Sequence, residues 1–398
     1  MDALIDETSS GLGRVVTCVA PVNIAVVKYW GKTNEDLIIP LNDSISLTLS
    51  TEHLRARTTI KTIPQSNDIT FELNGVTEKL TKRLSRAIQL CREEAVRQNT
   101  ATQEVVSAGL TIISDNNFPT AAGLASSAAG FACLVCALQH LYGIQGDVSA
   151  IVRQGSGSAC RSVFGGFVRW AKGHREDGND SIARQLFPAS HWPELRVLIV
   201  VVSDHKKETS STKGMQTTVE TSDLLKFRTE VVVPKRCEDM ERAIEKRDFP
   251  SFAELTMRDS NQFHATCLDT YPPIFYLNST SQEILMLCHD YNQKKGAATV
   301  AYSFDAGANA FLFTLNKSVP EICGLLQARF GVTDFKGDPV SDFCLHEEHG
   351  SSISGSKTKD VVKYVIVTKV ESYSRCSNSL KVLLVSPLLK YSWTSLGR

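Results

Sequence analysis

The sequence predicts an α+β protein of two domains, and three observations carry that expectation. Apolar β-branched runs and helix-period segments both occur, without the regular strand–helix alternation of a parallel sheet. The 398 residues are enough for one large or two medium cores, and no internal repeat is present. A polar stretch from Asp204 to Thr221 follows the long apolar run Val197 to Val202 and marks a boundary or a mobile segment. The expected division is a polar N-terminal tail at 1–14, an N-terminal domain at 15–203, a C-terminal domain at 204–370 and a tail at 371–398.

The elements follow in order. Val15 to Ala20 is β-branched and ends at Pro21, so it reads as a strand. Thr70 to Leu73, Asn74-Gly75 and Val76-Thr77 form a hairpin signal, because Asn-Gly accepts the positive φ of a tight turn. Leu80, Leu84, Ile88, Cys91 and Ala95 recur at helical spacing among charged residues. Leu110 to Ser114 reads as a short buried strand. Leu124, Ala128, Phe131, Val135 and Leu138 mark a helix stopping at Gly143. Gly155 to Gly166 reads as a glycine- and serine-rich loop, and Val197 to Val202 as a central strand. Pro234 to about Asn261 reads as helical. Ala301 to Phe304 and Ala310 to Leu315 read as strands flanking Asp305 to Asn309, and Val361 to Val370 as a further strand.

Composition narrows the function classes. Lys+Arg and Asp+Glu both number 43, so the net charge is zero. That argues against nucleic acid or an anionic membrane as a bulk electrostatic partner, while leaving room for a local basic pocket. Eleven scattered cysteines suit a reducing compartment better than a disulfide scaffold. Residues 1–13 carry no apolar signal core and few basic residues, so the expected location is cytoplasmic. The most membrane-like stretch, Ala121 to Leu141, holds Ser126, Ser127, Gln139 and His140 and reads as a buried helix.

Four stretches place Gly or Ser beside Lys or Arg. Pro119 to Ala128 is a small-residue loop running into a helix. There backbone N–H groups, the helix dipole and the hydroxyls of Ser126 and Ser127 suit a phosphate chain or magnesium. Pro21 to Lys32 presents Lys28 and Lys32 beside Tyr29, Trp30 and Gly31; the alternative is an edge strand with solvated lysines. Gly155 to Arg161 adds hydroxyls and one guanidinium fit for a carboxylate or phosphate. Ser210 to Gly214 is the fourth. Together they favour a small, highly anionic ligand. Asp305, in a Gly/Ala loop between two strands, could take a proton from a hydroxyl. Spacing alone favours an ordinary turn residue there. Cys133 and Cys136 read as core thiols rather than a metal pair. His346 to His349 is one residue short of a metalloprotease spacing and reads as a loop. His264 reads as a structural hydrogen-bonding residue.

The longer strings resemble a known family. Pro119 to Ala128 resembles the phosphate loop of the superfamily that includes galactokinase, homoserine kinase, mevalonate kinase and phosphomevalonate kinase. Six further strings narrow this: Ala20 to Ala25, Lys28 to Lys32, Asn116 to Pro119, Gly155 to Arg161, Asp259-Ser260-Asn261-Gln262-Phe263-His264-Ala265-Thr266-Cys267, and Phe304 to Gly307. They resemble the diphosphomevalonate decarboxylase family, in its eukaryotic cytosolic form, from about Val16 to about Leu315. The resemblance implies a superfamily fold with an N-terminal domain like ribosomal protein S5 and a C-terminal ferredoxin-like α/β sandwich. The active-site cleft lies between them.

The resemblance also implies a reaction. ATP, with Mg2+, phosphorylates the tertiary 3-hydroxyl of (R)-5-diphosphomevalonate, and loss of phosphate and carbon dioxide leaves isopentenyl diphosphate. Asp305 becomes the catalytic carboxylate, which overturns the turn-residue preference, and Arg161 the holder of the substrate carboxylate. Lys28 becomes a charge-stabilising partner. Substrate contacts map onto Asn23, Tyr29, Trp30, Gly31, Lys32, Arg83, Ser156, Gly157, Ser158, Ala159, Cys160, Arg161 and Thr212. Nucleotide contacts map onto Asn116, Ala122, Gly123, Leu124, Ala125, Ser126 and Ser127, with Ser127 also a magnesium contact. A homodimer is implied, without nucleic acid or membrane partners. After Val370 the chain departs from the Gly-Pro-rich stretch expected of the family. A kinase of the same superfamily and a non-catalytic binder are the competing readings.

Overall fold

The computed structural model describes residues 13–118, 126–202, 208–340 and 361–371. Two sheets build the N-terminal half. The first runs in the order Val15–Pro21, Arg55–Ile63, Gly109–Asn116, Ile69–Leu73, Val76–Glu78. Its strand Arg55–Ile63 buries alternate residues, as the two-residue period of a strand requires when one face is covered. Helix Ser126–Tyr142 provides the cover, packing on Val15–Pro21 and Arg55–Ile63 through Ala128, Ala132, Cys133 and Val135. The hairpin turn forms at Asn74-Gly75, both at positive φ. The second sheet runs Ala183–Phe187, Phe167–Trp170, Ser44–Thr48, Asn23–Val27.

The C-terminal sheet has the order Val300–Phe304, Ala310–Leu315, Leu195–Val201, Tyr364–Lys369, Phe335–Gly337. Leu195–Val201 is central, paired antiparallel to Ala310–Leu315 on one side and Tyr364–Lys369 on the other. This corrects the expected boundary at 203/204. Sheet membership changes between Phe187 and Leu195, so the apolar run belongs to the second domain. Helix Phe249–Asp269 packs on Val300–Phe304 and reaches across to Asn23–Val27 of the first domain.

Three further expectations change. Gly155 to Gly166 is not an open loop: helix Ser149–Gly155 leads into a 3-10 helix at Gly157–Val163. Within the polar stretch after Val202, residues 211–221 form helix Ser211–Thr221, capped by Ser210 on Lys213 N–H. The region from Pro234 is two helices, Val233–Lys246 and Phe249–Asp269, broken where Arg247 takes a left-handed conformation. Helices Ser279–Lys295 and Val319–Phe330 complete the domain. Among the described residues, no helix is long and apolar enough to cross a membrane. Residues 119–125 of the phosphate loop, His346 to His349 and the tail from 372 lie outside the described residues.

Candidate active site

The site begins where strand Asn23–Val27 ends. Lys28, the next residue, is only 3% exposed. Its Nζ sits 2.5 Å from Asp305 Oδ1, a contact between residues 277 apart in sequence. Lys28 and Lys32 are both buried, which excludes the edge strand with solvated lysines. Burial pushes the Lys28 amine down from its usual range, and the Asp305 carboxylate pulls it back up. Asp305 follows strand Val300–Phe304, and its backbone carbonyl accepts the Gly307 N–H at 2.7 Å. The turn is therefore made by the Asp305 backbone, which leaves its carboxylate to meet Lys28.

Arg161 lies in the same neighbourhood, on the 3-10 helix. It is 3% exposed, yet its guanidinium donates only to neutral oxygens: Nη1 to Ser44 Oγ at 2.6 Å and Nε to Asn23 Oδ1 at 3.2 Å. Among the described residues no carboxylate is within ion-pair range of it. Burial pushes it below its usual range, and Asp305 acts in the opposite direction. A buried cation without a counter-ion is costly. The arrangement suits an anion that arrives from outside.

The aromatic residues are packed as walls. Tyr29 tilts against Trp170 at 4.7 Å, and Gly157 is the reason this fits: a Cβ there would stand 2.8 Å from Trp170. Tyr29 Oη is buried without a hydrogen-bond partner; burial pushes the phenol well up, Glu35 adds to this, and Arg83, from the first turn of helix Lys82–Gln98, only partly opposes it. Trp30 donates its indole N–H to Thr218 Oγ1 at 3.0 Å and sits between Phe263, Tyr276 and Gly214. That contact docks helix Ser211–Thr221, which carries the exposed Thr212. Gly31 takes φ +90° and approaches Leu41 and Val219 too closely for a Cβ. Lys32 pairs with Glu35 at 2.6 Å.

Other expected residues serve in different ways. Asn23 donates to Ser158 O and Ser162 Oγ while holding Arg161, so its side chain organises the 3-10 helix. Ala159 and Cys160 are fully buried. The Cys160 thiol faces Phe164, Val168 and Trp170 and is pushed up to about 12 by burial. Ser156 is buried and Ser158 half-buried. Asn116 ends its strand with Oδ1 unpartnered, beside the phosphate loop in sequence. Ser126 and Ser127 begin helix Ser126–Tyr142, with Ser127 exposed. Cys133 and Cys136 are buried, and Cys133 Sγ donates to Cys18 O, as expected of core thiols.

His264 is 8% exposed, flanked by Phe263 and Phe304. It makes one backbone hydrogen bond, with Phe304, but its Nε2 has no partner. Burial, with Lys28 adding to it, holds its pKa at about 3 against 6.5 normally. The unfolded imidazole therefore binds a proton first as pH falls. The stability this neutral group contributes is full above about pH 6.5 and is lost as pH falls toward about 3, by up to about 1.4 kcal/mol per pH unit. Denaturant midpoints measured down to about pH 5 should fall less steeply in His264→Gln than in the parent. Equal slopes would show that His264 is not the group responsible.

Two family models cover the chain: the diphosphomevalonate decarboxylase-like N-terminal domain over residues 20–183, and the mevalonate 5-diphosphate decarboxylase C-terminal domain over residues 197–375. The chain belongs to the diphosphomevalonate decarboxylase family. It is 52% identical to diphosphomevalonate decarboxylase of Danio rerio over 364 residues, covering 89% of this chain and 91% of that one. It superimposes on the mevalonate diphosphate decarboxylase from Trypanosoma brucei with TM-score 0.81 at 37% identity, covering 93% of this chain and 98% of that one. A solved structure of MDDEF in complex with MVAPP, AMPPCP and magnesium matches with TM-score 0.72 at 30% identity, covering 94% and 99%. The decarboxylase family match extends to residue 375, beyond the Leu315 limit of the sequence resemblance. The two-domain α+β fold is that of the small-molecule kinase superfamily.

Sequence reasoning missed several residues of this decarboxylase site. Ser44 anchors Arg161, and Asn42 Nδ2 donates to Lys28 O, yet neither stands in a motif-like context. Arg228 and Asp259 form a fully buried pair behind Lys28. Asp259 stands in one of the strings that resemble the family, but nothing in its local sequence marks it as a partner of Lys28.

Proposed function

We propose that this site carries out ATP-dependent decarboxylation of (R)-5-diphosphomevalonate, giving isopentenyl diphosphate, ADP, phosphate and carbon dioxide, as a step of the mevalonate pathway. The observation that carries this reading is the Lys28–Asp305 contact beside the uncompensated Arg161. Asp305 orients the 3-hydroxyl and accepts its proton, at hydrogen-bond reach. Lys28 holds that carboxylate in place through their ion pair and stabilises negative charge on the transferring group. Arg161 holds the substrate carboxylate, and exclusion of water favours departure of phosphate from C3, with the C1–C2 bonding pair forming the C2–C3 double bond as carbon dioxide leaves. Tyr29, Arg83, Ser156 to Ser158 and Thr212 surround the diphosphate end. Asn116 and the loop to Ser127 receive the nucleotide at a helix N-terminus.

The donor set suits magnesium carried in on phosphates. Among the described residues no group of three His, Cys, Asp or Glu could cage an ion, while Ser127 offers an exposed hydroxyl at the helix start. Magnesium bound there supplies charge neutralisation to the phosphates. A cytoplasmic homodimer belongs to the same reading. The test is an assay of purified protein with ATP and diphosphomevalonate, with mevalonate and phosphomevalonate as controls. Release of ADP and carbon dioxide with diphosphomevalonate alone is expected. A stable phosphorylated product without carbon dioxide would replace this reading with that of a kinase.

A further inference from the structure

Lys28 stands at an awkward point of the backbone. Strand Asn23–Val27 has a register shift between Ala25 and Val27 and then stops, so the peptide groups of Lys28 leave the ladder while still buried. Buried backbone donors and acceptors must find partners. Here side chains supply them. The Lys28 N–H donates to Asp259 Oδ2 at 2.7 Å. The Lys28 carbonyl accepts from Asn42 Nδ2 at 3.1 Å and from Arg228 Nη2 at 3.3 Å.

The same turn of helix reaches the other half of the ion pair. Ser260, next to Asp259, accepts the backbone N–H of Phe304 at 3.0 Å. Phe304 immediately precedes Asp305. Ser303 Oγ closes the loop by donating to Ala25 O at 3.4 Å. Two consecutive helical residues therefore hold the two backbones that carry Lys28 and Asp305. They lie mid-way along helix Phe249–Asp269, away from its fraying ends.

Asp259 is itself held rigidly. Arg228 Nη2 lies 3.0 Å from both carboxylate oxygens, with both side chains fully buried, and Arg236 Nη1 donates to Oδ1 at 2.9 Å. Gln262 Oε1 accepts from both guanidiniums. A buried ion cluster of this kind is weak evidence for stability, because desolvation offsets much of the attraction. Its value lies in fixed geometry. Asp259 and Ser260 are sealed from solvent, and their side-chain oxygens are taken up by the Lys28 N–H, Arg228 and Arg236, and by the Phe304 N–H.

We infer that Asp259 and Ser260 are positioning residues: as adjacent members of one helix, they set the distance between the Lys28 ammonium and the Asp305 carboxylate across the two domains. This rests on the proposed roles of Lys28 and Asp305. Misplacement of a reacting group by about 1 Å costs on the order of 100-fold in rate. Loosening either tether should act on kcat rather than on substrate binding.

The test compares Ser260→Ala, Asp259→Asn and Thr256→Val. Thr256 lies one turn earlier, is fully buried, and its hydroxyl has no partner, so its variant reports general disturbance of the helix. Ser260→Ala and Asp259→Asn are expected to lower kcat by about 10- to 100-fold with both KM values within about threefold of the parent. Thr256→Val should keep the parent kcat. If Asp259→Asn does not fold, Ser260→Ala decides. A folded Ser260→Ala with kcat within about threefold of the parent overturns the inference. So does an equal loss of kcat in Thr256→Val. Asp305→Asn is assayed alongside: full activity there would sink the site reading itself, whereas an inactive Asp305→Asn beside a fully active Ser260→Ala sinks only the positioning role.

Discussion

Asp305→Asn is expected to lower kcat by about 10²- to 10⁴-fold while leaving the fold unchanged. The amide has nearly the carboxylate's shape but cannot accept the hydroxyl proton. The turn survives, because it uses the Asp305 carbonyl and the Gly307 N–H rather than the side chain. Lys28 changes character as well. Its amine is pushed down by burial and held up chiefly by Asp305, so removing the carboxylate moves it toward the neutral form. The single substitution thus removes the base and weakens the cation together. Single-turnover assays with both substrates, alongside circular dichroism, check this. Parent-like turnover would eliminate Asp305 as the reacting carboxylate.

Arg161→Gln should separate activity from stability. Arg161 is a buried cation bonded to two neutral oxygens, and burial disfavours its charge. A glutamine can still hydrogen-bond to Ser44 or Asn23 without the cost of a desolvated charge. The variant is therefore expected to melt at or above the parent temperature. Its substrate carboxylate loses a charge-assisted partner, worth about 2–5 kcal/mol, so kcat/KM should fall by roughly 30- to several thousand-fold. Melting curves without ligand and initial rates against diphosphomevalonate read both effects. A large drop in melting temperature would mean that Arg161 is a structural tie rather than a stored binding charge.

The legible part of this chain was the part governed by local rules. Hairpin Asn74-Gly75, the helix from Leu84 to Ala95 and the strands flanking Asp305 each follow from period or turn chemistry within a few residues. The site was legible where its residues sit in unusual strings, as Lys28 to Lys32 and Gly155 to Arg161 do. What could not be read were choices made by distant partners. Leu195–Val201 looks like any buried strand, and only its pairing with Tyr364–Lys369 and Ala310–Leu315 assigns it to the second domain. Gly155 and Gly157 looked like loop glycines, but their role is to let Phe131, Trp170 and Tyr29 come close. Arg228 lies in an ordinary amphipathic stretch, and its partner is 31 residues away.

The end of strand Tyr364–Lys369 ties the second domain back to the first. Val370 bridges Leu49, Glu371 N–H donates to Thr48 O at 2.9 Å, and Gly166 N–H donates to Glu371 O at 2.7 Å. The Glu371 carboxylate accepts from Ser50 and Thr51. The polypeptide therefore passes between the domains twice, once before Leu195 and once after Lys369. Together with the Lys28–Asp305 and Ser303–Ala25 contacts, these crossings fasten the two halves at several separate places, so their rims are held in register. The divergent C-terminal sequence also departs from a residue fastened to the N-terminal half. Changes there would be transmitted first to Ser44–Thr48, the strand whose first residue steadies Arg161.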